Sequence, residues 1–308
     1  MPAVESFDVV IIGGGPAGVS CSLELKDSMV RHALLQRSQE LGGQLSQIVY
    51  RIRNFGGVIF ENGTSLQNKL IKTANELNLP FRLNDEVIAA NLSNKSIKTR
   101  NGSLIAKAIV LATGARLRKL PLEEGTHLAS KIFYRTEGRE AELKGRSAVV
   151  IGNGDNAVIE ALLLTRRMPE VVLVCRSDRL KSRPDLIKEA EENKKLKIML
   201  SCEVRKLIGK ENIETVEAVD LETNQVHQLH TPLVVARIGS TPNTELFAGQ
   251  IEMDAKGCIK INERMETSLA GVYAIGDATY PSYWRISTAV GQGTTAAKAA
   301  VDYLSSLA

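Results

Sequence analysis

Aromatic side chains make up only 4% of these 308 residues, and Trp284 is the single tryptophan. A densely packed core must therefore rest on Ile, Leu, Val and Ala. No apolar run approaches the roughly 20 residues of a membrane-spanning helix. The opening stretch MPAVESFDVV has no basic segment and runs straight into a strand, so the expectation is a cytoplasmic protein with no signal peptide and no membrane association. Net charge is only +4, and no Lys/Arg block interleaved with aromatics marks a nucleic-acid surface. That mild positive balance is compatible with an acidic protein partner. Cysteine is scarce and scattered, at Cys21, Cys175, Cys202 and Cys258. There is no C-x-x-C, no metal-ligand spacing and no disulfide framework; no metal is expected, and the thiols read as buried and free.

What is present is glycine in pattern. The β-branched run Val9-Val10-Ile11-Ile12 leads into Gly13-Gly14-Gly15-Pro16-Ala17-Gly18 and then a helical stretch. A continuous apolar run of this kind reads as a buried parallel strand. In the G-x-G-x-x-G that follows it, Gly13 permits a sharp turn, Gly15 lets the backbone approach a pyrophosphate, and Gly18 lets the helix pack on the strand. Free N–H groups at the helix start then face the phosphates. The second strand is His32-Ala33-Leu34-Leu35. Dinucleotide folds usually end it with an acid that holds a ribose hydroxyl; here Gln36 takes the position as a neutral hydrogen-bonding group.

Glycines recur at Leu41-Gly42-Gly43-Gln44-Leu45 and Asn54-Phe55-Gly56-Gly57, where they suit close backbone approach to a large flat ligand. An amphipathic helix is expected over residues 65–78, then short strands to Ile97. A strand over residues 108–111 ends in Ala112-Thr113-Gly114-Ala115, small residues at a turn against a cofactor. Residues 115–121 read as a crossing between domains. A second unit follows, with a strand over residues 147–151, then Gly152-Asn153-Gly154-Asp155-Asn156-Ala157, a helix over residues 158–168 and a strand over residues 171–174. Two fingerprints about 140 residues apart mean two dinucleotide sites, a far more specific signal than either alone. Arg176, Ser177 and Lys181 lie just past the last strand, with Arg179 and Arg183 beside them and no acid at its tip. Such a set suits a 2′-phosphate and favours NADPH over NADH. A helix and strand over residues 186–208, a β-meander to about 231 and a second crossing over residues 233–244 come next. A strand ending in Gly276-Asp277 then offers a carboxylate to a ribityl or ribose hydroxyl, and a final helix is expected over residues 287–307.

The set GGGPAG (13–18), GGQL (42–45), ATGA (112–115), GNGDNA (152–157), IGSTPNT (238–244) and AIGDA (274–278) resembles the low-molecular-weight thioredoxin reductase family of FAD flavoproteins across nearly the whole chain. It is also similar to the ferredoxin(flavodoxin)–NADP reductases of thioredoxin-reductase type. The resemblance implies an α/β fold of two Rossmann-like three-layer dinucleotide-binding domains, the second inserted in the first. Residues 1–115 and 245–308 would form the FAD domain and 116–244 the NAD(P)H domain. It further implies a homodimer and hydride transfer from NADPH to FAD. The candidate FAD contacts are Gly13, Gly15, Pro16, Ala17, Gly18 and Gln36; Gly43, Gln44, Leu45 and Asn54; Val87, Ala112, Thr113 and Gly114; and Gly276, Asp277, Ile286 and Ser287. The candidate NADPH contacts are Gly152, Gly154, Asp155, Asn156, Ala157, Arg176, Ser177 and Lys181.

One departure bears on function. Thioredoxin reductases carry a redox C-x-x-C just before the second fingerprint, whereas residues 128–138 here contain no cysteine. A dithiol relay needs a nucleophilic thiolate and a resolving partner, so the usual route to thioredoxin is not expected. The expectation is an FAD oxidoreductase passing electrons between NAD(P)H and a non-thiol acceptor, such as ferredoxin, flavodoxin, a quinone or oxygen. The alternative is a flavoprotein independent of pyridine nucleotide, serving as an electron-transfer partner or redox-responsive module. Hydride transfer requires no side-chain acid or base, so no catalytic side chain is assigned. Tyr283 and Trp284 are candidates to stack on the flavin ring.

Overall fold

The structure is a computed structural model that describes residues 4–122, 127–134, 136, 147–279 and 284–307. The chain divides into two compact units, Met1–Arg116 with Thr241–Ala308, and Leu117–Ser240.

Unit one opens with β1 (Glu5–Ile12), whose last four residues are 0–5% exposed. Helix α1 (Pro16–Asp27) follows, with Pro16 at its first position, where a missing N–H costs nothing. Next come β2 (His32–Leu35), α2 (Gly63–Glu76), β3 (Phe81–Arg82), β4 (Val87–Asn91), β5 (Ser96–Thr99) and β6 (Ser103–Leu111). Helix α2 starts two residues earlier than its apolar periodicity suggests. Asn62 caps it, its side chain accepting from Ser65 N at 2.9 Å while Ser65 answers to the Asn62 N–H.

The chain leaves through β7 (Ala115–Leu117). In unit two it forms β8 (Ala148–Ile151), α3 (Asp155–Thr165), β9 (Val171–Val174), α4 (Pro184–Glu192) and β10 (Leu196–Met199). The meander β11 (Cys202–Ile208), β12 (Thr215–Asp220) and β13 (Val226–His230) and then β14 (Leu233–Ala236) complete it. Strand β15 (Ser240–Pro242), paired with β7, carries the chain back to β16 (Val272–Ala274) and the last helix, α5 (Ile286–Ser306).

In unit one the parallel strands run in the order β3-β2-β1-β6, with β16 on the far side of β6. The N-terminal half of β6 also pairs antiparallel with β5, which pairs with β4. One face of this sheet packs on α1, α2 and α5; the other packs on Leu92, Ile97, Phe247, Ile251 and Ile259. Small residues let α5 lie close on α1: a Cβ on Gly293 would stand 2.4 Å from the Ala17 carbonyl, and Ser20 Oγ donates to Val290 O at 2.8 Å. Unit two repeats the plan with four parallel strands in the order β10-β9-β8-β14. Helices α3 and α4 cover one face and the meander the other. The aromatic-poor cores are built from Ile, Leu, Val and Ala. Residues 241–244 fold with unit one, earlier than the expected return at 245, because Asn243 N–H donates to Gly114 O at 2.9 Å and its side-chain amide to Thr113 O at 3.0 Å.

Candidate functional site

The two glycine fingerprints stand at the C-terminal ends of their sheets, where open α/β folds take ligands. In unit one Gly13 has φ +117° and leaves no room for a side chain, since a Cβ would lie 2.2 Å from Ala112 O. Gly18 is tighter still, with a Cβ 1.9 Å from Gly13 O, so helix α1 can approach the turn only without a side chain there. Gly15, by contrast, faces open space. Gly42 N–H donates to Gly14 O at 2.8 Å, which brings the Gly42-Gly43 turn beside the fingerprint. Gly43 has φ +57°. The result is a cradle lined by backbone, with the N-terminus of α1 directed into it.

Gln36 is 8% exposed and ties this cradle together. Its Oε1 accepts from Gly14 N at 3.0 Å, and its Nε2 donates to Ser38 Oγ and to Glu40 O at 3.0 Å. A carboxylate could not make the last two bonds, so the neutral amide acts here as a staple between the second strand and the glycine turn. Across the cradle, Gln44 Nε2 donates to Asp277 Oδ2 at 2.9 Å. Burial pushes the Asp277 carboxyl above its usual range, against the pull of Gln44. Gly276 N–H donates to Gln292 Oε1 on α5 at 2.7 Å. Ile286 packs with Leu45 and Ile52, and Ser287 Oγ donates to Asn54 O at 3.2 Å. Ala112 N–H reaches Ile12 O at 2.9 Å, which sets Thr113 and Gly114 next to the fingerprint. Val87 opens β4 and belongs to the core cluster that contains Leu35. Tyr283 lies outside the described residues; Trp284 is half-buried just before α5.

In unit two, Gly152 has φ +142°, and a Cβ there would stand 2.4 Å from Arg237 O. Ala157 takes the third place without a clash. A loop closes over this fingerprint: Lys181 N–H donates to Asn153 O at 2.7 Å, and Asn153 Nδ2 to Ser177 Oγ at 2.6 Å. Asp155 stands at the first turn of α3, but its Oδ1 is taken up by Ser182 Oγ and Arg183 N, both at 2.9 Å. It positions the basic loop. Asn156, Arg176 and Lys181 are exposed. Beneath the fingerprint a buried pair joins α3 to the end of β14: Glu160 Oε2 is 3.7 Å from Arg237 Nε, at 4% and 9% side-chain exposure. Thr136 Oγ1 donates to Glu160 Oε1, and Arg237 Nη1 to Tyr134 O at 2.9 Å. Phe133 bonds β14 through Val234 O and Ala236 N. The cysteine-free stretch is thus fastened to the sheet by backbone and by a buried ion pair.

Among the described residues, four buried side-chain polar atoms lack a hydrogen-bond partner: Asp85 Oδ1, Thr113 Oγ1, Trp284 Nε1 and Arg237 Nε. Such atoms are costly unless something satisfies them. Thr113 lies beside the first fingerprint, and Asp85 N–H donates to Gln36 O. Arg237 adjoins the second fingerprint through Gly152. Glycine motifs located the turns in the sequence, but nothing there flagged Gln292, Asp85, Glu160 or Arg237.

All four thiols are buried. Burial pushes Cys175 up to about 12 and raises Cys21, Cys202 and Cys258 as well. Cys175 Sγ lies 3.2 Å from Gly152 O, as a donor inside the turn.

Residues 7–293 match the family described as pyridine nucleotide-disulphide oxidoreductase. The chain is 32% identical over 307 residues to a "34.2 kDa protein in rubredoxin operon" from Clostridium pasteurianum, covering 99% of each chain. It is 30% identical to a thioredoxin reductase from Bacillus subtilis, covering 100% of this chain and 98% of the relative. In structure it is similar to the thioredoxin reductase of Lactococcus lactis, with a TM-score of 0.89 at 28% identity over 97% of this chain and 99% of that one.

Proposed function

We propose that this chain, which belongs to the pyridine nucleotide-disulphide oxidoreductase family, passes electrons between NADPH and a non-thiol acceptor. It is an FAD-dependent oxidoreductase with the thioredoxin reductase-like fold, and NADPH is the reductant that its family and relatives imply. The unit-one cradle fits FAD. Gly15 leaves room for a pyrophosphate at the α1 N-terminus, Asp277 and the unpartnered Thr113 hydroxyl offer bonds to a polyol chain, and Trp284 supplies a ring edge beside α5. When bound, FAD supplies the ring that accepts hydride. The protein's share is to hold it, to hold the nucleotide at the second fingerprint, and to keep water out.

One observation carries the choice of acceptor. Disulfide reduction needs a thiolate and a resolving thiol. Cys175, just past β9, and Cys202, on β11, are neighbours, but all four cysteines are buried and all are held in the thiol form by burial. The relative from a rubredoxin operon and the net charge of +4 favour a small acidic electron-transfer protein over a quinone or oxygen. A homodimer and a cytoplasmic setting complete the proposal. Among the described residues, no helix is long and apolar enough to cross a membrane.

The test is an anaerobic titration with NADPH, followed by stopped-flow reoxidation. We expect full bleaching by NADPH and rapid reoxidation by ferredoxin or flavodoxin, with no reduction of an aromatic disulfide beyond background. Thioredoxin-linked disulfide reduction at a rate matching flavin turnover would overturn the proposal. So would a flavin bleached by dithionite but untouched by NADPH.

A further inference from the structure

We propose that Glu203, near the start of β11, sets how strongly unit two discriminates a 2′-phosphate from a 2′-hydroxyl, and that Arg205 holds it away from Arg176. The inference rests on the reading that NADPH binds the second fingerprint, and deepens it. Strand β11 begins against the tip of β9. Cys202 N–H donates to Cys175 O, and Ser201 N–H to Ser177 O, both at 2.9 Å. These bonds bring Glu203 beside Arg176, the charged residue that the second strand presents to the adenosine end of a dinucleotide. The Glu203 carboxylate is shared unequally: Oε2 is 2.8 Å from Arg205 Nε, whereas Oε1 is 3.8 Å from Arg176 Nη1. The shorter contact is a hydrogen-bonded ion pair and the longer one is not. Arg176, 78% exposed, therefore stays free to turn onto a phosphate while Glu203 remains on Arg205.

Ser177 adds no charge at this tip, and its hydroxyl is already engaged. It accepts from Asn153 Nδ2 and donates to Arg179 O, both at 2.6 Å. Arg183 is drawn off by Asp155 and Asp185, at 3.7 and 3.8 Å. The cluster facing a 2′-phosphate is then Arg176, Arg205 and Glu203, with Lys181 on the neighbouring loop. An acid in this place opposes a phosphate dianion and accepts readily from a hydroxyl, as the acid at the strand tip does in NAD sites. Its grip on Arg205 limits both effects. The preference for NADPH is accordingly modest and adjustable from β11.

The experiment measures binding of two redox-silent probes, 2′,5′-ADP and 5′-AMP, to the oxidised FAD-loaded protein by calorimetry at low salt. Glu203→Gln should tighten 2′,5′-ADP about threefold, the scale of an exposed charge pair, with 5′-AMP affinity held or weakened. Arg205→Gln should act in the opposite sense, because a released Glu203 falls onto Arg176. Arg176→Ala should weaken 2′,5′-ADP about tenfold, the scale of one lost charged hydrogen bond. All three effects should shrink as salt is raised. If Glu203→Gln leaves the ratio of the two affinities unchanged or lowers it, the assignment to Glu203 is overturned while nucleotide binding stands. If the unaltered protein binds neither probe, the nucleotide reading falls and the inference with it.

Discussion

The two fingerprints share a backbone plan and differ in what surrounds it. In unit one the tip of the second strand is a buried amide, Gln36, stapled to the glycine turn and to the following loop. A second glycine turn at 42–43 stands opposite, and Asp277 closes the far end under a Gln44 hydrogen bond. In unit two the equivalent position is Cys175, a buried thiol that donates to Gly152 O; the next residue, Arg176, is exposed and only loosely paired, and the covering loop consists mostly of charged side chains in solvent. Buried, satisfied polar groups fix one geometry and exchange slowly. Exposed charges attract a ligand quickly, in a salt-dependent way, and release it. The first cradle is held by buried, satisfied groups and the loop over the second fingerprint by exposed charges. The first two glycines are common to both fingerprints; the third place, Gly18 against Ala157, and the residues past the second strand differ.

That contrast can be broken most severely at the glycines. Gly18→Ala places a Cβ 1.9 Å from a backbone oxygen. It should yield protein without flavin absorbance or no soluble protein, read as the ratio of flavin to protein absorbance. The mirror change, Ala157→Gly, should cost only about 1 kcal/mol of helix propensity and leave flavin content intact. Next in size is the buried pair under the second fingerprint. Glu160→Leu strands the Arg237 charge and should cost about 3–5 kcal/mol in urea unfolding, with the Glu160→Leu/Arg237→Leu double variant recovering most of it. Flavin content should stay near normal throughout.

Thiol reactivity sharpens the functional side of the comparison. With four buried cysteines, none held as thiolate, an aromatic disulfide reagent should label no cysteine in the native protein and all four after unfolding. Cys175→Ser should retain most flavin reduction by NADPH. Fast labelling of a native cysteine, together with loss of turnover in its serine variant, would return the chain to disulfide chemistry. The smallest effect lies in unit one. His32 is buried, with Nε2 2.8 Å from Ser22 Oγ and Nδ1 2.8 Å from Val30 O. Burial holds it below its ordinary value of 6.5. The unfolded chain therefore takes up the proton first, so stability is full above about 6.5 and declines as pH falls from there toward the lower folded value. Melting temperature should drop modestly between pH 7.5 and 5.5, and His32→Gln should flatten that slope.

Much of the fold was legible because its signals are local. Val9 to Ile12 could only be a buried strand, and the two glycine fingerprints mark strand-to-helix turns; the cap at Asn62 and Ser65 was missed, and the helix start was placed two residues late. Less legible was anything that depended on pairing across the chain. The bonds of Gln36 to Gly14, Ser38 and Glu40, and those of the Asp155 carboxylate with Ser182 and Arg183, have no local signature. Glu160, Arg237, Glu203 and Arg205 carry no motif, because, the Glu203–Arg205 contact apart, their partners lie 24 to 103 positions away.

By itself the sequence determined two dinucleotide-binding units, the parallel strands that carry them, and a chain with no dithiol before its second fingerprint. Glycine spacing and apolar periodicity are constraints on neighbouring residues, and they survive in one dimension. Only the tertiary structure decided that the Gln36 amide is a staple and that Glu203 divides its charge between two arginines. Burial and charge pairing depend on which distant segments meet, and a strand's neighbour in space is not its neighbour in the chain.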